Sequence, residues 1–252
     1  STLGWPNETE DLKNYHPTQL LETGYEIITL WVSRMIMMSL FAMQEIPFEN
    51  VYLHGMVLDK EGKKMSKSKG NGIDPLEMIA KYGTDATRMS LIVGNTPGND
   101  TRMSEEKIAD FRNFANKLWN ISRFILQNAE CRYQNAGLPE MKTLADKWIL
   151  GRLNETIKMV TENIEKFNFS LAGEQLRDFT WNELADWYLE IAKIEGDKSE
   201  ILNYILETIL KLWHPFMPFV TETIWANMEH NLLMVSEWPQ CFPPRRRARE
   251  VL

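Results

Sequence analysis

The sequence is poor in the residues that build covalent or metal-held scaffolds. Only two cysteines, Cys131 and Cys241, occur in 252 residues. They lie far apart with no partner at metal-ligand spacing, which argues against a disulfide framework and a cysteine-based zinc site and points to a reducing, cytoplasmic setting. Positive charge is also short. Lys and Arg number 28 against 35 Asp and Glu, a net charge of −7. A chain held on nucleic acid by charge alone is thereby disfavoured, though local basic patches are not. There is no internal repeat, no low-complexity tract, and no leader of charged and apolar residues after Ser1 to read as a signal peptide. A first residue other than Met points to a piece of a longer chain. Only one long apolar run exists, Ile27 to Met43. Arg34 at its centre, with Thr29, Ser33 and Ser39 around it, makes it a poor membrane span and a better buried helix.

What is present is ordinary globular material, 44% apolar and 25% charged, long enough for two modest domains. Composition shifts near residue 100. Before it, short apolar runs are broken by Gly and Pro; after it come long amphipathic stretches with few glycines. Gln19 to Thr23 reads as a short strand, Tyr25 to Gln44 as a helix apolar nearly all round and hence buried, and Val51 to Leu58 as the next strand. That order favours a parallel crossover, whose functional edge is the carboxyl ends of the strands. Asp74 and Pro75 read as N-cap and first residue of a short helix ending at Gly83.

The second part predicts helices over Ser104–Ala129, Leu144–Phe167, Ser170–Ile194 and Ser199–Met228, the last split by Pro215 and Pro218. An antiparallel bundle with a core of Trp119, Trp148, Trp181, Trp187, Trp213 and Trp225 is the expected packing. Pro243 to Glu250 carries four closely spaced arginines, and residues 240–252 read as a flexible tail.

The strongest local signal is Lys64-Met65-Ser66-Lys67-Ser68, inside Asp59 to Asn71, which holds five lysines against two acids with Gly62 and Gly70 around the motif. Ammonium groups on such a loop can close over a triphosphate and follow charge developing on a leaving pyrophosphate. The plainer alternative is a solvated charged turn. A chance match to all five positions is, however, on the order of one in ten thousand for average residue usage.

This spelling resembles the second signature of the class I aminoacyl-tRNA synthetases. The resemblance extends through Ser1-Thr2-Leu3-Gly4-Trp5-Pro6, Thr23-Gly24-Tyr25-Glu26-Ile27-Ile28, Trp31-Val32-Ser33-Arg34-Met35-Ile36 and Gly98-Asn99-Asp100-Thr101-Arg102 to Phe111-Arg112-Asn113-Phe114-Ala115-Asn116-Lys117-Leu118-Trp119. It covers about residues 1 to 239 and looks most like the valine-specific family, with the isoleucine and leucine enzymes as near competitors.

The resemblance implies an α/β part followed by an all-α part: residues 1–100 as the C-terminal half of a Rossmann-like nucleotide-binding domain, and 101–239 as an anticodon-binding helical bundle. It implies ATP with Mg²⁺, valine and tRNA(Val) as substrates and partners, and no dedicated protein ligand set for the metal. Lys64 and Lys67 would act on the ATP phosphates. Thr23, Gly24, Glu26, His54, Gly55, Met65, Ser66 and Ser68 would line the ATP or adenylate, and Trp31 with Gly24 would wall the amino-acid pocket. His54 and Trp31 also read as a satisfied strand-end histidine and ordinary helix core. Glu26 departs from the aspartate of the family pattern. Arg112, Lys117, Arg123 and Arg152 are candidate tRNA contacts, or members of a solvated helix face.

The family's first signature, a His-x-Gly-His type motif, does not occur in the sequence, nor do segments matching the editing domain or a C-terminal coiled-coil arm. The expectation is one half of a two-half active site, weak or inactive alone. The alternative is a non-catalytic, synthetase-like RNA-binding module.

Overall fold

The computed structural model describes residues 2–66, 70–128, 137–228 and 231–242. Lys67, Ser68, Cys131 and the arginine-rich run after residue 242 lie outside the described residues. Two compact units form, one from residues 1–72 and 95–103, the other from 73–94 and 104–252.

In the first unit, a short helix α1 (Glu10–Tyr15) precedes β1 (Thr18–Gly24), which pairs in parallel with β2 (Phe48–His54), from Thr18 opposite Phe48 to Gly24 opposite His54, so both strands finish at one level. The strand expected over Val51–Leu58 is interrupted. An added Cβ at Gly55 would sit 1.7 Å from the Asn99 carbonyl oxygen, and only glycine permits that backbone approach. Beyond it, β3 (Val57–Leu58) pairs in parallel with β4 (Thr101–Arg102).

The helix expected over Tyr25–Gln44 is a 3₁₀ turn at Tyr25–Ile27, a π-helical turn at Ile28–Val32 and α2 (Ser33–Met43), ended by Gln44 at φ 58°. It is not buried. Among Tyr25–Met43 only Val32 is buried, and Leu30, Met37, Met38 and Phe41 stand out, Phe41 at 86% exposure. The physical reason is the narrowness of the sheet: two strands can cover one flank of an all-round apolar helix, and the other flank is left open. By length and composition this 19-residue stretch, mean hydropathy 1.5 in its most apolar window, could cross a membrane, but Thr29, Ser33, Arg34 and Ser39 interrupt it.

The second unit opens with α3 (Pro75–Tyr82), started as the sequence suggests: Asp74 Oδ1 accepts the Leu76 N–H at 2.8 Å, and Gly83 at φ 92° ends it. α4 (Thr84–Ile92) follows. The long helices are α5 (Glu105–Asn128), α6 (Leu144–Glu165), α7 (Phe169–Asp178), continued by a π-helical stretch at Phe179–Tyr188 into α8 (Leu189–Glu195), then α9 (Ser199–Trp213) and α10 (Pro218–Ala226). The break between α9 and α10 falls at Pro215 and Pro218.

The core mixes aliphatic and aromatic side chains, with Leu118, Leu150, Leu153, Leu176, Ile205 and Leu210 fully buried beside Phe114, Phe179, Tyr188 and Trp213. Of the six tryptophans expected there, Trp213 and Trp225 are buried, whereas Trp119, Trp148 and Trp187 are exposed and Trp181 is half-buried under the Lys117 ammonium. Helical spacing puts the exposed three on outward faces, and a tryptophan's size leaves an edge in water unless several helices surround it.

Two polar clusters tie this unit together. Asp85 of α4 accepts the N–H groups of Phe219 (3.2 Å) and Val220 (2.7 Å), capping α10, while Arg88 donates to the carbonyls of Pro215 and Phe216. Burial, its strongest influence, holds the Asp85 carboxyl above its ordinary pKa. The second cluster centres on Asp146, side chain fully buried. Its Oδ1 accepts Lys198 Nζ (2.9 Å) and the Tyr188 hydroxyl (2.8 Å), and its Oδ2 accepts the N–H groups of Lys142 and Thr143, each at 2.9 Å. Burial alone would raise the Asp146 pKa, but the bonds from Lys198, Thr143 and Tyr188 reverse that and lower it.

Candidate active site

The carboxyl ends of β1 and β2 gather five of the expected site residues. Thr23 is buried at the end of β1, Gly24 lies opposite His54, and Gly55 and Glu26 follow the two strands. This is where ligands bind in parallel sheets. A Cβ on Gly24 would meet only the His54 ring, at 3.5 Å, an ordinary contact, so packing does not demand glycine there. His54 Nδ1 pairs with the Gly55 carbonyl oxygen at 2.8 Å and Nε2 lies 3.4 Å from Glu22; both ring nitrogens thus have protein partners.

The lysine loop leaves β3 and reaches back to this edge. Lys64 Nζ donates to Glu26 at 2.9 Å and 3.2 Å, contacting both carboxylate oxygens. Both side chains are well exposed, so the pair is weak and exchangeable. Met65 and Ser66 follow, with the Ser66 N–H donating to Asn71 Oδ1 at 3.0 Å. Trp31 stands on the π-helical turn at 45% exposure.

Three residues that sequence reasoning did not assign to the site also shape it. Asp100 Oδ1 accepts the Met56 N–H (2.7 Å) and the Tyr25 hydroxyl (3.1 Å), pinning the Gly98-Asn99-Asp100 turn to the strand ends. The Asp100 bond, with smaller contributions from burial and nearby carboxylates, raises the Tyr25 pKa. Asp59 and Asn71 close the neck of the loop. Hydrogen bonds from the Lys63 N–H and Asn71, in that order, hold Asp59 below the usual carboxylate range. Their appearance in the quoted motifs was the available signal. Among the described residues no group of three His, Cys, Asp or Glu side chains is placed to hold a metal ion.

Comparison with known proteins bears on these residues directly. Residues 1–104 match the family model for tRNA synthetases class I (I, L, M and V), and residues 146–251 match that for the anticodon-binding domain of tRNA ligase. A valine--tRNA ligase of Clostridium tetani is 50% identical over 95% of the chain. Residues 1–104 belong to the class I tRNA synthetase family.

Other relatives agree. The valine--tRNA ligases of Bacillus cereus (strain ATCC 10987) and Carboxydothermus hydrogenoformans are 50% and 49% identical over 95% of the chain. The chain spans 29%, 29% and 28% of the lengths of the Clostridium, Bacillus and Carboxydothermus relatives. Among solved structures, the fold is similar to an Agrobacterium radiobacter K84 LeuRS from a ternary complex with tRNA and LeuAMS, at TM-score 0.76 and 24% identity over 89% of this chain and 29% of that one. It is also similar to Mycobacterium tuberculosis methionyl-tRNA synthetase bound by methionyl-adenylate, at 0.70 and 24% over 88% of this chain and 46% of that one.

In the helical unit the four cations considered as tRNA contacts divide. Arg152 grips Glu183 through Nε (2.8 Å) and Nη2 (2.7 Å) and also pairs with Glu155; the Glu183 bonds raise its pKa further. Lys117 pairs with Asp186 at 3.0 Å and lies over Trp181. Arg112 and Arg123 are exposed and have no ion-pair partner among the described residues. Arg123 lines a cavity of about 260 Å³ with Trp119, Leu126, Ile224 and Asn227.

Proposed function

We propose that this chain is part of a valine–tRNA ligase, contributing the lysine-loop half of the site that activates valine with ATP and the helical domain that receives tRNA(Val). The observation carrying this reading is the identity of about 50% to valine--tRNA ligases along 95% of the chain. The Lys64–Glu26 bridge, which brings the loop to the strand ends, supports it. Residues 1–100 form the C-terminal half of a Rossmann-like domain, 101–239 an antiparallel anticodon-binding bundle, and the protein is cytoplasmic.

In this reading Thr23, Gly24, Glu26, His54 and Gly55 border the adenylate, and Trp31 borders the valine side chain. Lys64, Met65, Ser66, Lys67 and Ser68 cover the triphosphate, which arrives with Mg²⁺. Positive charge from Lys64 and Lys67 stabilises the pyrophosphate as it departs, when its negative charge is greatest. The open apolar flank of α2 is covered by the remainder of the nucleotide-binding domain, since a large uncovered patch marks an interface.

Valine-dependent ATP–pyrophosphate exchange tests the proposal. The 252-residue chain is expected to give background exchange while still binding tRNA. The longer ligase is expected to exchange with valine in preference to isoleucine and leucine, and to lose about 100-fold or more in rate on Lys67→Ala, the scale of one transition-state contact. No valine exchange from the longer protein, with RNA binding intact, would instead favour a non-catalytic RNA-binding module.

A further inference from the structure

The lysine loop hangs from a neck built by two side chains. On the entering side Asp59 closes a tight turn: its N–H donates to the Lys63 carbonyl at 2.9 Å, its carbonyl accepts the Gly62 N–H at 2.9 Å, and its Oδ1 accepts the Lys63 N–H at 2.8 Å. On the returning side the Asn71 amide reaches back across the gap. Its Oδ1 accepts the Ser66 N–H (3.0 Å), and its Nδ2 donates to Asp59 Oδ2 (2.7 Å) and to the Lys64 carbonyl (3.3 Å). An antiparallel bridge from Leu58 holds Lys64 from its other side.

One amide therefore fixes the backbone on both sides of Met65 and joins the two ends of the loop. The task needs a donor pair and an acceptor on one short side chain, which asparagine has and aspartate or leucine lacks.

We propose that Asn71, with Asp59, is a positioning residue for the lysine loop: it holds the backbone of Lys64 and Ser66 at the neck so that the Lys64 ammonium group, once released from Glu26, meets the departing pyrophosphate. This rests on the ligase reading above. A preformed neck contributes in the step where pyrophosphate departs and not where valine passes to tRNA, because the leaving group of that second step is AMP and no pyrophosphate is present for the lysines to meet.

The test uses the full-length ligase with Asn71→Asp, Asn71→Ala and the exchange of partners, Asp59→Asn with Asn71→Asp. Asn71→Asp sets two carboxylates against each other, and kcat for valine-dependent pyrophosphate exchange is expected to fall about 10- to 100-fold, the scale of an ångström misplacement. KM for valine is expected to stay within about twofold, as is transfer of valine to tRNA from preformed adenylate. The partner exchange restores an amide–carboxylate bond with roles reversed and is expected to recover about tenfold of the loss. Unchanged kcat in both single variants, transfer falling as far as exchange, or no recovery in the double variant each overturns the positioning role. Absence of valine exchange in the unsubstituted protein refutes the ligase reading and the positioning role together, whereas exchange indifferent to Asn71 overturns the positioning role alone.

Discussion

Replacing Lys198 by methionine removes the only cation bonded to Asp146 among the described residues while leaving the carboxylate in place. The Asp146 side chain is fully buried and that of Lys198 is 5% exposed, so solvent cannot supply a substitute. Deleting one partner of a buried pair costs about 3–5 kcal/mol. Asp146 keeps three donors, the Tyr188 hydroxyl and the N–H groups of Lys142 and Thr143, which sets the expectation near the lower end, about 3 kcal/mol. At about 2–4 °C per kcal/mol for a domain of this size, Tm falls by about 6–12 °C. Glu195→Gln is the control: Glu195 also bonds Lys198, at 2.7 Å, but is one-third exposed, and its loss is expected to lower Tm by less than half as much.

The double variant Asp146→Asn with Lys198→Met is expected to melt above Lys198→Met alone, because no buried charge is left uncompensated. The pH dependence follows the same logic. Asp146 titrates below its unfolded value, so its stabilisation is complete above the ordinary carboxylate range and is lost as pH falls through the lowered pKa. Without Lys198 that loss begins at higher pH. Thermal unfolding followed by circular dichroism across acid pH is the assay. A Tm drop under about 2 °C for Lys198→Met, or a double variant less stable than the single one, refutes the reasoning.

Other expectations follow from particular contacts. Asp85→Ala removes the cap of α10 and is expected to destabilise the helical unit by about 1–2 kcal/mol, read from urea midpoints; an unchanged midpoint would mean the bonds to Phe219 and Val220 contribute nothing. Glu26→Gln frees Lys64 from a pair worth about 0.2–1 kcal/mol, so ATP is expected to bind about 1.4- to 5-fold more tightly in calorimetry; weaker binding would make Glu26 a direct contact of ATP or its metal. The uncovered flank of α2 is expected to drive self-association of the 252-residue chain. Serine at Met37, Met38 and Phe41 is expected to shift it toward monomer in sedimentation velocity, and no shift would exclude that flank as the contact.

What the sequence disclosed was local. The lysine loop is spelled out in consecutive residues, and Asp74, Pro75 and Gly83 mark α3 by rules acting within one turn. Parallel pairing of β1 and β2 was legible because an apolar helix separates two short apolar runs. The Asp85 cap was not, since donor and acceptor lie 134 and 135 residues apart. Nor was the Asp146–Tyr188–Lys198 cluster, whose members belong to three helical segments or their flanks. The open face of Tyr25–Met43 misled for a different reason: an apolar pattern states that a surface needs cover, not what supplies it. The π-helical turns at Ile28–Val32 and Phe179–Tyr188 left no local mark at all. In the site, Asp59 and Asn71 went unassigned because their work is to hold backbone and each other, and the motif marks the stretch they bound without saying which groups they meet.

The crossing of the chain between its two units has a consequence for how this protein can be divided. Residues 73–94 leave the strand-bearing unit immediately after the lysine loop, join the helical unit through Asp85 and Arg88, and return at Asn95. The helical unit is therefore not a cassette that begins at Ser104. An excised piece starting there would present α10 with bare N–H groups and Pro215 and Phe216 with unanswered carbonyls, whereas one starting at Ile73 would carry residues 95–103 as a loop without its strand partner. Shuffling, truncation or fusion at the apparent boundary near residue 100 thus severs the caps before it separates the functions.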